Sequence, residues 1–362
     1  MIVSYVSGHG YGHATRTAEV LRAVREQAPE TALAVVSSAP ERLFRDAIPG
    51  ALAFRSIECD VGLAQRGALV IDEAATARRW QAFARGREGL VADEVLWLRA
   101  VGARVVLGDL PPLAFEAAAG AGIPSVGLAN FSWDWIYRHL APRAPVLDEA
   151  ARSAASAYAT AALVLELPFT GDLSAFPRRE KIPLVARRPR MSRAEARRRL
   201  GLPETTPCVL ASFGGLGLPD FSPMSLGRLT GHHFVVESSD GSLPANVTAT
   251  NADRRDAAGV GYQDLVRAAD VVVTKPGYGI VSDAVAAGTR IVYTDRGDFP
   301  EYPILVEGMR RYLPCAHLSN EDLRAARWGP AVENVLARPV PSPPDLNGAE
   351  VAARWILAVA GH

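Results

Sequence analysis

Short apolar runs alternate along the chain with stretches whose apolar positions recur at helical spacing. Met1 to Val6, Ala32 to Ser37, Ala51 to Ile57, Arg104 to Leu107, Ser125 to Ala129 and Ala162 to Leu167 are short and mostly rich in β-branched residues, which predicts buried strands. Between them Thr15 to Glu26, Pro40 to Ala47, Phe115 to Ala121 and Asp148 to Ala159 read as helices. Asp72 to Val101 spaces Trp80, Phe83, Leu90, Val91, Val95 and Leu98 along one helical face, and Gly86 and Gly89 predict an interruption within it.

The pattern changes between Pro168 and Pro207, where prolines and arginines crowd and only Arg193 to Leu200 reads as a helix. An extended, solvated connection is expected there, with a local phosphate contact as the alternative use of its arginines. The alternation then restarts, with strands at Cys208 to Ser212, His233 to Glu237, Asp270 to Thr274 and Arg290 to Thr294. Helices are expected over Gln263 to Ala269, Ile280 to Ala287 and Glu350 to Val359. Strand and helix taking turns is the signature of a parallel sheet covered on both faces. Two such halves predict a domain over 1–175, a connection over 176–206, a second domain over 207–345 and a closing helix over 346–362 that returns to the first.

Composition agrees with two cores: 49% of the 362 residues are hydrophobic and 22% charged, a globular balance at a length natural for two domains. Lysine plus arginine equals aspartate plus glutamate at 39 each, so overall charge directs the protein to neither nucleic acid nor an anionic membrane. Cys59, Cys208 and Cys315 are far apart and odd in number, which predicts free thiols and a reducing, cytoplasmic setting. The first residues run straight into a strand, so no signal peptide is expected, and no apolar run is long enough to predict a membrane span.

Chemistry concentrates at two turns. Ser7-Gly8-His9-Gly10-Tyr11-Gly12-His13-Ala14-Thr15-Arg16 lies between the first strand and the first helix, which brings backbone N–H groups and a helix N-terminus to the carboxyl edge of a sheet. The glycine spacing departs from the dinucleotide fingerprint, and glycines between His9 and His13 argue against a helical metal pair. A tight turn with no further role is the plain alternative; against it stands an imidazole, the side chain whose ordinary titration suits a general base. Lys275-Pro276-Gly277-Tyr278-Gly279 repeats this physics before the helix from Ile280, lacks the Walker spacing, and could equally be a plain helix start. Asn130-Phe131-Ser132-Trp133-Asp134 follows a strand end with aromatic rings that either pad the core or bind a ring-shaped substrate.

The Lys275 to Gly279 segment, with Ser282, Asp283, Ala284 and Gly288, resembles the nucleotide-diphosphate loop of GT-B glycosyltransferases. More closely, Gly8 to Arg16, Asn130 to Asp134, Phe213-Gly214-Gly215 and Gly277-Tyr278-Gly279 together resemble the glycosyltransferase-like N-terminal region of plant-type L-arabinokinases, over nearly the whole chain. The kinase region of those proteins would follow His362, so sugar phosphorylation is not expected of these residues. The resemblance implies an α/β GT-B fold: two facing Rossmann-like domains with parallel sheets and an interdomain cleft. It implies inverting transfer of a sugar from a nucleotide-diphosphate donor, UDP-linked in first place, to a hydroxyl acceptor, with no metal and no cofactor beyond the nucleotide-sugar substrate.

Carried onto this sequence, His13 is the general base and Asp109 the acid that orients it. Gly214, Gly215, Tyr262, Lys275, Pro276, Gly277, Tyr278, Gly279, Ser282, Asp283, Asp298 and Tyr302 fall at donor positions, with Asp283 shorter than the glutamate many relatives place on the ribose. His9, Gly10, Tyr11, Asn130, Trp133 and Asp134 are the acceptor candidates. The expected partners are thus a nucleotide sugar and a small-molecule acceptor. Two other readings share these residues: a nucleotide-sugar hydrolase, and a binding module that senses rather than transforms.

Overall fold

The computed structural model describes residues 1–67, 69–214, 218, 221–238 and 242–361. The first half builds a parallel seven-stranded sheet from β1 (Ile2–Val6), β2 (Leu33–Ser37), β3 (Ala53–Arg55), β6 (Val105–Asp109), β7 (Ser125–Ala129), β8 (Leu163–Glu166) and β9 (Arg179–Lys181), in the order β3-β2-β1-β6-β7-β8-β9. A small antiparallel pair, β4 (Gln65–Arg66) and β5 (Val70–Ile71), lies outside it. Its helices are α1 (Tyr11–Gln27), α2 (Arg42–Arg45), α3 (Glu73–Ala100), α4 (Pro112–Ala121), α5 (Trp133–Leu140) and α6 (Val146–Tyr158). The central strands are buried along their whole length, as continuous apolar runs covered on both faces must be.

The second half follows α7 (Arg193–Leu200) with a parallel six-stranded sheet of β10 (Cys208–Ser212), β11 (His233–Glu237), β12 (Val247–Thr250), β13 (Val271–Thr274), β14 (Arg290–Thr294) and β15 (Cys315–Leu318), ordered β12-β11-β10-β13-β14-β15. Around it lie α8 (Ala252–Ala257), α9 (Tyr262–Ala268), α10 (Tyr278–Ala287), α11 (Tyr302–Met309), α12 (Asn320–Arg324) and α13 (Gly329–Leu336), and α14 (Gly348–Val359) closes the chain against α1. One apolar core runs from the first domain into the second, joining Ala14, Val20 and Val24 of α1 to Tyr278 and Val281 of α10 and to Ala352 and Ile356 of α14. Separate cores fill the outer faces of the two sheets. Among the described residues no helix is long and apolar enough to cross a membrane.

Three expectations change. Helix α3 runs without a break through Gly86 and Gly89, because neither glycine packs against anything that would bend it. Two glycines cost an exposed helix about 1 kcal/mol each, too little to stop one anchored by buried Trp80, Glu94 and Leu98. The connection expected over 176–206 is not free chain: Arg179–Lys181 pairs with β8 as the last strand of the first sheet. Two of its arginines are tied down as well, Arg197 donating to the Ala268 carbonyl at 2.8 Å and Arg193 and Arg197 both bonded to Asp270. Arg188, Arg190 and Arg198 stay largely solvated, as expected. The aromatic stretch after β7 is helical from Trp133.

What places the site is strand order. In each sheet the chain reverses direction of winding beside the first strand, so β1 lies between β2 and β6, and β10 between β11 and β13. Polar ligands collect in the crevice beyond the carboxyl ends of strands at such switch points. Val6 is paired with Asp109 in one sheet and Ser212 with Thr274 in the other, so the residues that follow these ends converge.

Candidate active site

A cleft of about 1510 Å³ separates the two domains and is lined from both. From the first come Gly8 to His13, Arg16, Asp60, Asn130, Phe131 and Trp133; from the second, Gly214, Tyr262, Lys275, Gly277 to Gly279, Asp283, Arg296 and Glu301. The two glycine turns meet directly, since a Cβ on Gly279 would stand 3.2 Å from the Gly12 Cα. Helices α1 and α10 begin at glycine N-caps, Gly10 and Gly277, with no side-chain cap bond. Helices α3 and α7, by contrast, are capped by Asp72 and Ser192. The N-termini at the cleft thus keep their N–H groups for something other than their own side chains.

At the first turn, His13 Nδ1 lies 2.8 Å from Asp109 Oδ1, across from the end of β1. That contact leaves Nε2 as the ring nitrogen turned away from the carboxylate, and Phe131 closes against the ring edge-on at 5.7 Å. Asp109 is fully buried and four-fold bonded: Arg16 Nε donates to Oδ2 at 2.8 Å, Thr17 Oγ1 to Oδ2 at 2.7 Å, and Arg16 Nη2 and His13 both reach Oδ1. Burial alone would push this carboxyl up, but Arg16 and His13 overturn that and bring it down to about 2. It is an anion at any ordinary pH. Arg16 also donates to Asn130 Oδ1 at 2.6 Å and lies over the Tyr278 ring at 5.1 Å, so it spans the cleft.

His9 stands edge-on to Trp133 at 5.6 Å, with the Leu63 N–H directed at its Nδ1. Burial, with His13, Arg296 and Lys275 nearby, pulls its titration down to about 3, so it is neutral. Asp60, in the loop before β4, accepts from Ser7 Oγ at 3.0 Å and Trp133 Nε1 at 2.8 Å; burial pushes its carboxyl up against those bonds. Tyr11 is 47% exposed at the rim, an aromatic face with no core to pack in.

On the facing wall, burial brings the Lys275 ammonium down to about 8, helped by Arg296 and opposed by Glu301. Arg296 is itself bonded to the Pro276 carbonyl at 3.1 Å and paired with Glu301. Tyr262 bonds Ser212 Oγ at 2.6 Å and carries the Arg187 and Arg255 guanidinium groups at 4.9 and 5.6 Å from its ring. Burial lifts its phenol to about 12.

Several candidates stand elsewhere. Asp134 is 1% exposed and pairs with Arg138 one turn along α5, away from the cleft lining. Pro276 and Ser282 do not line the cleft either, and the Ser282 hydroxyl is spent on the Gly279 carbonyl one turn back. Asp298 points outward to His139 and Arg143 of the first domain, while Tyr302 packs between the two cores; Glu301 and Arg296 of the same stretch line the cleft. Asp283 does line the cleft, but its carboxylate is already bonded to Arg187. Gly215 lies outside the described residues. Sequence reasoning passed over Arg187, Arg296 and Glu301 as site residues; only the density of arginines before α7 hinted at the first.

No family model matches the chain. It is 31% identical over 361 residues to an L-arabinokinase of Arabidopsis thaliana, which is 98% of this chain and 34% of that protein. The chain thus spans about a third of the length of the curated relative it matches. Among solved structures it resembles the glycosyltransferase of kitacinnamycin (TM-score 0.62, 18% identity, covering 99% of this chain and 95% of that one). It also resembles a UDP-glucosyltransferase from Polygonum tinctorium capable of glucosylating indoxyl (TM-score 0.62, 13% identity, 99% and 93%). A third is Acinetobacter baumannii MurG (TM-score 0.56, 14% identity, 99% of each chain). The fold is therefore GT-B: two Rossmann-like domains, each on a parallel sheet, facing one another across the cleft.

Proposed function

We propose that this chain is an inverting glycosyltransferase that moves a sugar from a UDP-linked donor to a hydroxyl acceptor without requiring a metal. The observation that carries the reading is the His13–Asp109 pair at 2.8 Å, set in the same cleft as the glycine N-terminus of α10. A base at one wall and an anion cradle at the other are what displacement at an anomeric carbon needs.

In this mechanism Asp109 holds Nδ1–H, so that Nε2 takes the proton of the acceptor hydroxyl. The oxygen forms its bond to the anomeric carbon from the face opposite the diphosphate, and the bond from that carbon to the diphosphate breaks. The electron pair leaves on the diphosphate, and the proton rests on His13 beside the Asp109 carboxylate. The N–H groups at Tyr278 and Gly279 and the Lys275 ammonium offset the charge that develops on the leaving group, the task a metal performs elsewhere. Tyr262, between two guanidinium groups, is the place for the base, and Glu301 with Arg296 for the donor sugar.

Uridine is favoured by the solved neighbours, among them a UDP-glucosyltransferase and a structure complexed with UDP-2-fluoro-glucose; another is complexed with dTDP, the nearest competitor. His9, Tyr11, Asn130 and Trp133 form the acceptor wall. The three unpaired cysteines suit a cytoplasmic setting.

Thermal unfolding with a panel of UDP-, dTDP- and GDP-sugars tests the binding half of this reading. A ligand at about a hundred times its dissociation constant adds roughly 2.7 kcal/mol to the folded state, several degrees of melting temperature. The UDP-sugars are expected to give the largest rise. No rise with any member would overturn the proposal.

A further inference from the structure

The opening turn holds one residue that the proposed chemistry leaves unused. Arg16 is 4% exposed, yet its guanidinium touches four groups of the site. It forks onto both Asp109 oxygens, donates to Asn130, and stands 3.1 Å from His13 Nδ1; its other face lies over Tyr278 of the donor-side helix. Tyr278 in turn accepts a hydrogen bond from the Val185 N–H of the interdomain connection. We propose that Arg16 is a positioning residue for His13, sharing the Asp109 carboxylate with it, setting a guanidinium against a second proton on the ring, and tying that pair to α10 through Tyr278. This rests on the reading of His13 as the base.

A carboxylate alone beside an imidazole favours imidazolium, which cannot remove a proton. Asp109 is instead already neutralised by a buried guanidinium that also lies against the same ring. The groups facing His13 are few: Arg16 on its own helix, Asp109 at the end of β6, Asp60 in the loop before β4, and neutral His9 in the turn. Asp60 is itself held by Ser7 and Trp133. From α10 the nearest group is the Tyr278 ring, on the far side of Arg16, and it carries no charge because burial holds its phenol well above the usual range. Of these, only Arg16 opposes protonation of His13 from within hydrogen-bond distance.

The test uses the full chain with Arg16→Gln and Arg16→Lys. Without the guanidinium the acid limb of the kcat/KM profile should move up by about one pH unit, the scale of one charge at a few ångströms. Lysine, which keeps the charge but not the fork, should give an intermediate displacement. The His13 ring resonances, followed by NMR against pH, should move by the same amount and do so whether or not the protein transfers sugar. If Arg16→Gln does not fold, Arg16→Lys decides alone, and any upward displacement beyond experimental error supports the proposal. A ring titration that stays where it is in the folded variants overturns it. A moved titration, found together with no sugar transfer by the unsubstituted protein, would overturn the transferase reading while leaving the role of Arg16 standing.

Discussion

Lys275 offers the sharpest link between a side chain and ligand binding. Its ammonium, brought from an ordinary value of 10.5 to about 8 by burial and by Arg296, carries a penalty of roughly 3 kcal/mol in the empty cleft. A diphosphate seated at the start of α10 would relieve that penalty and draw the titration back toward its ordinary range. Between pH 8 and 10.5, therefore, each complex takes up close to one proton, and UDP affinity should fall by up to about tenfold per pH unit. Calorimetric titration with UDP from about pH 7.5 upward, where the terminal phosphate is fully ionised, reads this directly. Repeating it in buffers of different ionisation heat counts the protons. Lys275→Met should bind UDP about thirtyfold more weakly at neutral pH, the worth of one charge-assisted hydrogen bond, and should lose the pH dependence.

The empty variant should nevertheless be the more stable protein. Below pH 8 the folded and unfolded chains both hold the Lys275 proton, so the full burial penalty stands; from pH 8 to 10.5 only the unfolded chain holds it, and stability rises with pH. The gain from Lys275→Met is thus greatest at neutral pH and shrinks above pH 8, on the order of 1–3 kcal/mol at its largest. UDP binding with no proton uptake, or a less stable Lys275→Met protein, would refute the reasoning.

Two glycine substitutions separate binding from folding. Gly279→Ala puts a Cβ 3.2 Å from the Gly12 Cα and should prise the two turns apart, weakening UDP about tenfold with little change in melting temperature; Gly12→Ala, whose Cβ meets Gly279 only at 3.7 Å, should do less. Binding titrations of the pair check the order. Gly348→Ala acts on the fold alone, because its Cβ would fall 2.1 Å from the Pro183 carbonyl oxygen, backbone that cannot swing aside. A loss of about 2–3 kcal/mol, read as a melting temperature lower by roughly 3–4 °C, is expected.

The strands around both switch points were legible because buried parallel strands are written as uncharged runs, and the two turns because glycine and helix starts punctuate them. Their convergence came only through the resemblance, which implied His13 and Asp109 as a pair; the structure shows the reason, since the strand ends beside them lie next to each other in the sheet. What sequence could not give was the direction of side chains within the turn after β14. Asp298 and Glu301 are three residues apart and chemically alike, yet one faces His139 and Arg143 while the other lines the cleft. Nor could it give pairings across the fold: Arg187 and Asp283 are 96 positions apart, and only the packing of the connection against α10 makes that carboxylate a structural anchor. The same holds for Arg16, which closes the opening motif in sequence but shows its partner only when β6 brings Asp109 beneath it.

The central claim is that His13 takes a proton from an acceptor hydroxyl. Release of nucleoside diphosphate from the best-binding nucleotide sugar, measured with an alcohol acceptor for the unsubstituted protein and for His13→Ala, tests it most directly. The account predicts a fall of about 10²–10⁴-fold in turnover, the worth of a general base, with UDP affinity unchanged. Full turnover by His13→Ala would contradict it.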